Sequence, residues 1–266
     1  NTPIVVDVDG NTVVGHGNTT ITAQNGIQVF AELATGTIDG NTVSGIAYDG
    51  ASWVATTILN YYGDLDITDN VISGAQVGIY NIDGAGSLTG NSIGVAEAGD
   101  YSWGIIATDP PLAVPQPFDG TALLDGGGPD GVPGNPDTGR SAFSPDVVLD
   151  VDVSNNVVVY TGDDNATTFG IETDAGYGPD DLDVTVDDNF VSGFEYGIVW
   201  YHCTSGCLAG VYVGMSATGN CLAGNDVGME SNVTYLDVTA EGNWWGDASG
   251  PYHATANPTG TGVPVS

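Results

Sequence analysis

Four oxygen-bearing side chains, Asp125, Asp130, Asn135 and Asp137, lie in one run, Asp125-Gly-Gly-Gly-Pro-Asp130-Gly-Val-Pro-Gly-Asn135-Pro-Asp137. Carboxylate and amide oxygens are the ligands that a hard cation such as Ca²⁺ takes, and the glycines would let the chain wrap around it. The run lacks the dense alternating Asp and the closing Glu of an EF-hand loop. A solvated or subunit-contacting loop is therefore the competing reading, and calcium the one candidate cofactor. A second set is Cys203, Cys207 and Cys221. Three thiols in an extracellular chain cannot all pair internally, so one is free or joins another molecule. Gly206 permits a local Cys203–Cys207 bridge; in the alternative, one of these two reaches Cys221. His16, His202 and His253 are scattered, and His202-Cys203 with Cys207 lacks a fourth zinc ligand. Carboxylate pairs suited to glycoside hydrolysis, such as Asp163-Asp164 and Asp180-Asp181, fall in Gly- and Pro-containing bends where solvated turn residues are the expectation. No G-x-S-x-G or phosphate loop occurs.

The background to these residues is strongly acidic. The chain of 266 residues has 34 Asp and Glu, one basic residue (Arg140) and a formal charge of −33. Nucleic acid is excluded as a partner, since binding phosphates needs clustered Lys and Arg, and docking on anionic lipid is excluded on the same ground. Disorder does not fit 41% hydrophobic residues with 12 Tyr, 6 Phe and 5 Trp. No apolar run approaches the roughly 20 residues that span a bilayer, so membrane insertion is not expected. The chain opens on Asn1 without a charged-then-apolar leader, and sequons stand at Asn18, Asn165 and Asn232. With a single trypsin-type site, these features read as an extracellular or cell-surface protein.

What must position any site is a repeat. Asn, any residue, an apolar residue and usually Gly recur from Asn11, Asn41, Asn70, Asn91, Asn156, Asn189, Asn220 and Asn243. The spacings are 30, 29, 21, 65, 33, 31 and 23 residues. Periods of 20–50 residues mark a solenoid or a propeller. A second phrase, Gly followed by Ile or Met, recurs at Gly26, Gly78, Gly104, Gly170, Gly197 and Gly228. Alternating stretches such as Leu182-Asp183-Val184-Thr185-Val186 read as strands with one apolar face, and no window has a helical period. The asparagines are read as corner residues, because Asn tolerates left-handed backbone and its amide bonds its own turn. Stacked at one corner, they can bond to one another. By strand alternation the residue two past each Asn (Val43, Ile72, Val191, Leu222) points inward, and the residue one past (Val157, Phe190, Cys221, Trp244) points outward.

These phrases resemble the parallel β-helix repeats of the pectate-lyase-like superfamily. Gly242-Asn-Trp-Trp-Gly-Asp-Ala-Ser-Gly-Pro251 is similar to the closing coil of bacterial and archaeal surface β-helix proteins. The likeness covers 4–108 and 149–255. It implies an all-β, right-handed parallel β-helix: one solenoid domain over 1–266, with a Pro/Gly-rich loop insertion at 109–148 and a closing coil and tail at 242–266. A β-propeller would need four strands per repeat and a longer period.

The lyases of this superfamily resemble one another in using Ca²⁺ with a basic side chain. Here Arg140, within the insertion, is the only basic candidate, and the surface charge would repel polyuronate. Gly15-His16-Gly17 is similar to a short polygalacturonase motif, but the acidic and basic motifs expected around it are not in place. The expectation is therefore a non-catalytic structural subunit that self-assembles into an extracellular layer or tubular sheath. Its partners are further copies of itself and divalent cations, with Cys221 in a contact between subunits. An acidic, nearly Lys/Arg-free β-repeat chain with cysteines near its C-terminal coils resembles the sheath proteins of filamentous methanogenic archaea, a kin of archaeal surface-layer proteins. Two alternatives remain: a secreted glycan hydrolase or lyase, with carboxylates converging along one sheet face, and a carbohydrate-binding adhesin with an exposed aromatic row.

Overall fold

The structure, a computed structural model, describes residues 2–31, 33–50, 54–109, 148–163, 167–176, 178, 180–204 and 210–266. The described residues form strands and turns, with no helix. Strands come in threes. The first three repeats are β1 (Ile4–Asp9), β2 (Thr12–Thr19) and β3 (Asn25–Phe30); β4 (Ala34–Asp39), β5 (Thr42–Tyr48) and β6 (Thr56–Tyr61); and β7 (Asp64–Thr68), β8 (Val71–Ala75) and β9 (Val77–Ile82). Three more are β10 (Gly86–Thr89), β11 (Ser92–Val95) and β12 (Tyr101–Thr108); β13 (Val148–Ser154), β14 (Val157–Tyr160) and β15 (Thr167–Ala175); and β16 (Asp181–Asp187), β17 (Phe190–Ser192) and β18 (Tyr196–His202). The chain then runs through β19 (Tyr212–Thr218) and β20 (Val227–Ser231), and ends with the short pair β21 (Pro251–Tyr252) and β22 (Gly262–Pro264).

From β1 to β16 each strand pairs in parallel with the strand three places on, and β18 pairs with β20, which yields three long sheets beside the small β21-β22 pair. Sheet 1 is β1-β4-β7-β10-β13-β16-β19, sheet 2 is β2-β5-β8-β11-β14-β17, and sheet 3 is β3-β6-β9-β12-β15-β18-β20. Single bridges from Phe190 to Cys221 and from Cys221 to Trp244 carry sheet 2 onward to the closing segment. The insertion leaves after β12 and the chain returns at β13, which stacks on β10 without loss of register.

The sheets enclose one core of in-register rows. Ile58, Ile79, Ile105, Ile171 and Ile198 form a row along sheet 3, all fully buried. Val43, Ile72, Ile93, Val158, Val191 and Leu222 line the inside of sheet 2, as the two-past-Asn rule expects, with Trp245 closing the row. Beside them runs a lane of glycines set by close approach. A Cβ at Gly104 would lie 2.2 Å from Val158 Cγ1 and 2.4 Å from the Gly170 carbonyl oxygen, distances no side chain can adopt.

The corner between sheets 1 and 2 differs from expectation by one residue. The left-handed backbone belongs to the residue before each turn asparagine: Gly10, Gly40, Asp69, Gly90, Asn155, Asp188, Gly219 and Gly242, with φ between 51° and 75°. These positions hold the residue types that reach this region most readily. The asparagines instead have their side chains turned inside and bonded.

Candidate functional site

The eight turn asparagines form one continuous ladder. From Asn11 to Asn220, the backbone N and the Nδ2 donate to Oδ1 of the asparagine in the next repeat, at 2.9–3.0 Å and 3.0 Å. From Asn41 onward an Nδ2 hydrogen also goes to a backbone carbonyl of the preceding repeat, for example Asn189 to Val153 O at 2.8 Å and Asn220 to Val186 O at 2.7 Å. Asn41, Asn70, Asn91, Asn156, Asn189 and Asn220 are buried. Each amide therefore uses both hydrogens and its oxygen in a place where an unpaired polar group is costly. The ladder also bridges the 65 residues between Asn91 and Asn156, so the insertion leaves the stack unbroken.

The three outward faces differ in chemistry. The strands of sheet 1 carry ten acidic residues, among them Asp64, Asp66, Asp150, Asp152 and Asp183, interleaved with Thr and Ser. Hydroxyls there bond neighbouring carboxylates, as from Thr68 Oγ1 to Asp39 Oδ1 at 2.6 Å. The strands of sheet 2 carry no acidic residue. Those of sheet 3 carry three, Glu172, Asp174 and Glu230, and their outward side chains are largely buried as a second apolar cluster that includes Leu59, Tyr80, Trp103, Ile106, Phe169 and Val199.

On sheet 3 the structure brings together groups that the sequence left unconnected. Tyr101, Trp103, Phe169 and Tyr196 stack in succession, with ring centroids 5.4–5.8 Å apart. The Trp103 Nε1 donates to Glu172 Oε2 at 2.8 Å. Glu172 is hydrogen-bonded in turn to Asp174, two residues on along the same face. Burial raises both carboxyls above their ordinary range, and the neighbouring Glu172 charge pushes Asp174 up further. Nearby, Tyr212 donates to the Thr173 carbonyl at 2.5 Å, and burial raises its hydroxyl well above the usual tyrosine value. Asp109, the first residue of the insertion, is buried and accepts from Gly176 N and Gly178 N, each at 2.9 Å.

A buried pair of carboxyls raised in this way makes stability depend on pH. A carboxyl whose folded value is raised stabilises the fold below its unfolded value, and that contribution is lost as pH rises through the folded value. Asp174→Asn keeps a donor toward Glu172 and cannot ionise as pH rises. We expect its melting temperature at pH 8 to exceed that of the parent by about 2–4 °C, the equivalent of about 1 kcal/mol in a chain of this size. At pH 4 the two should melt together. Circular dichroism melts at both pH values check this, and a variant less stable at pH 8 contradicts a raised Asp174 carboxyl.

Of the other candidates, Asp125, Asp130, Asn135 and Asp137, and with them the calcium reading, lie outside the described residues, as does Cys207. Cys203 is buried and disulfide-bonded, whereas Cys221 is a half-buried free thiol on the outward side of sheet 2. His16 is exposed in β2, its backbone N donating to Gln24 Oε1 at 2.9 Å. Among the described residues no three His, Cys, Asp or Glu side chains gather as ligands for a metal, and no helix is long and apolar enough to cross a membrane. At the C-terminal end of the stack, Trp200, Met229, Val238, Ala240, Trp245 and Val265 line an apolar cavity of about 410 Å³. Comparison with protein-family models, with curated proteins and with solved structures finds no match to the chain.

Proposed function

We propose that the chain is a right-handed parallel β-helix serving as a non-catalytic structural subunit, one that self-assembles into an extracellular layer or tubular sheath of the kind built by filamentous methanogenic archaea. The observation that carries this reading is the in-register stack itself. Seven repeats are joined by parallel backbone ladders and by one asparagine column, giving a rod whose rigidity comes from repetition. Right-handed crossovers follow from the twist of parallel strands. The charge of −33 lies largely in turns and on sheet 1, where it keeps separate copies apart until it is screened.

Assembly is therefore expected to switch on with divalent cations, with added salt or near pH 4, each of which weakens repulsion between carboxylates. Negative-stain microscopy of the purified chain under these three conditions and in low salt at pH 8 is the test. Sheets, tubes or hoops in the first set and dispersed particles in the last support the subunit reading. Dispersed particles throughout overturn it.

One observation favours a second reading, glycan processing or binding. The Glu172–Asp174 pair beside the row Trp103, Phe169 and Tyr196 combines an acid with aromatic faces, as sugar sites do. Their burial weighs against it, since a glycosidic bond has to reach both carboxyls. Release of reducing sugar from acidic polysaccharides by the parent, lost in Asp174→Asn, would favour it.

A further inference from the structure

We infer that the outward face of sheet 2 is the surface through which one copy of this chain docks on another, an inference that rests on the subunit reading above. Its first ground is charge. Acidic residues number ten in the strands of sheet 1, three in those of sheet 3 and none in those of sheet 2. The levels that continue sheet 2, Asn220-Cys221-Leu222 and Asn243-Trp244-Trp245, are equally free of acid. In a chain of charge −33, this is, among the described residues, the one of the three long sheets whose outward strands two copies can bring together without pressing carboxylates against carboxylates.

The second ground is what replaces the charge. Along the column one past each asparagine, Val71 is 49% exposed, Val157 45%, Phe190 41% and Trp244 49%, with the half-buried Cys221 between the last two. Val14, on the neighbouring outward column, is 75% exposed. Five large apolar side chains on one flat face cost solvation in a lone monomer and gain it back in a contact. Aromatic side chains are also enriched in protein contacts, and Phe190 and Trp244 stand on the C-terminal levels of this strip.

The third ground is area. Eight levels from Thr12 to Trp244 at the strand spacing give a strip about 35 Å long and about 13 Å wide, a footprint of about 450 Å² per copy. Doubled, this is about 900 Å², at the lower edge of what a specific contact buries, so a single face binds weakly and gains strength when repeated through an array. The occupant this selects is a second copy. Its own sheet 2 is the same uncharged strip, and a two-fold axis sets one against the other with matching composition. A partner bearing basic residues would find its complement on sheet 1 instead.

Sedimentation velocity of the full chain over a wide concentration range, in moderate salt, tests this. Val157→Asp with Phe190→Asp adds two charges to exposed positions on sheet 2. Thr37→Asp with Thr185→Asp adds the same two charges on the outward side of sheet 1. Circular dichroism melts of each check that folding is unchanged. The expected result is association of the parent, weakened at least about tenfold by the sheet 2 pair and left within about twofold by the sheet 1 pair. Association unaffected by the sheet 2 pair overturns this inference while leaving self-assembly standing. Equal losses from both pairs also overturn it, since added charge would then act without regard to face. If the parent itself stays monomeric in salt, with divalent cations and at pH 4, the subunit reading and this inference fall together.

Discussion

Val191→Asp should leave the chain unable to fold at neutral pH. Val191 has no exposed surface and sits in the inner row of sheet 2 between Val158 and Leu222. Its Cγ1 lies so close to Gly170 that a Cβ there would stand 2.2 Å away. A carboxylate in that place has apolar neighbours and finds no counter-charge, because the chain has no lysine and its single arginine lies in the insertion. Burying an unpaired charge belongs to the small class of substitutions that cost more than about 4–5 kcal/mol, against a total stability of about 5–15 kcal/mol for a domain. Ser192→Asp is the control. It lies one residue on, half-buried and facing outward, and should leave the melting temperature nearly unchanged. Solubility after expression and thermal melts of the two variants check the pair. A Val191→Asp protein that melts with the parent would mean that the strand faces the other way.

That period-two contrast was legible in the sequence because it is local. In Leu182-Asp183-Val184-Thr185-Val186 the pattern alone separates the core face from the solvent face, and each asparagine fixes the phase of the strand that follows it. The left-handed corner was legible too, but one place earlier than expected. Gly, Asp or Asn precedes every turn asparagine, and the asparagine's own side chain drew the reading away from them. Sheet 3 is where alternation fails. Thr56–Tyr61 and Tyr101–Thr108 are buried at nearly every position, so inward Ile58 and outward Leu59 look alike in sequence. An unbroken apolar run is the signal of a strand covered on both faces. The Glu172–Asp174 pair could not have been picked out from 34 acidic residues. What distinguishes it is register, which sets Glu172 one repeat from Ile106 and within reach of Trp103, 69 residues back in the chain.

The asparagine ladder yields the second large effect, and one with a pH signature. Asn189→Ala removes four hydrogen bonds: two that its Oδ1 accepts from Asn156, and two that its Nδ2 donates, to Asn220 Oδ1 and to Val153 O. The backbone N of residue 189 still reaches Asn220, but the Asn156 backbone N–H and one Nδ2 hydrogen are left buried without an acceptor. At about 1–3 kcal/mol for each orphaned donor, the loss is about 2–6 kcal/mol and should not change between pH 4 and pH 8. Asn189→Asp behaves differently. It keeps the acceptor for Asn156, yet it turns a carboxylate oxygen toward Val153 O and Asn220 Oδ1, where donors stood. Burial without a donor raises that carboxyl, so the protonated form fits the fold and stability falls as pH rises through the raised value. The Asp variant should therefore melt well below the Ala variant at pH 8 and recover most of the difference at pH 4. Asp188→Gly, at the left-handed corner next to it with φ of 56°, should stay within about 1 kcal/mol of the parent, since glycine enters that region without strain. Urea unfolding of the three variants at both pH values measures all of this. A loss below about 1 kcal/mol for Asn189→Ala would reduce the column to the worth of a surface pair, and the apolar rows alone would then have to account for the stack.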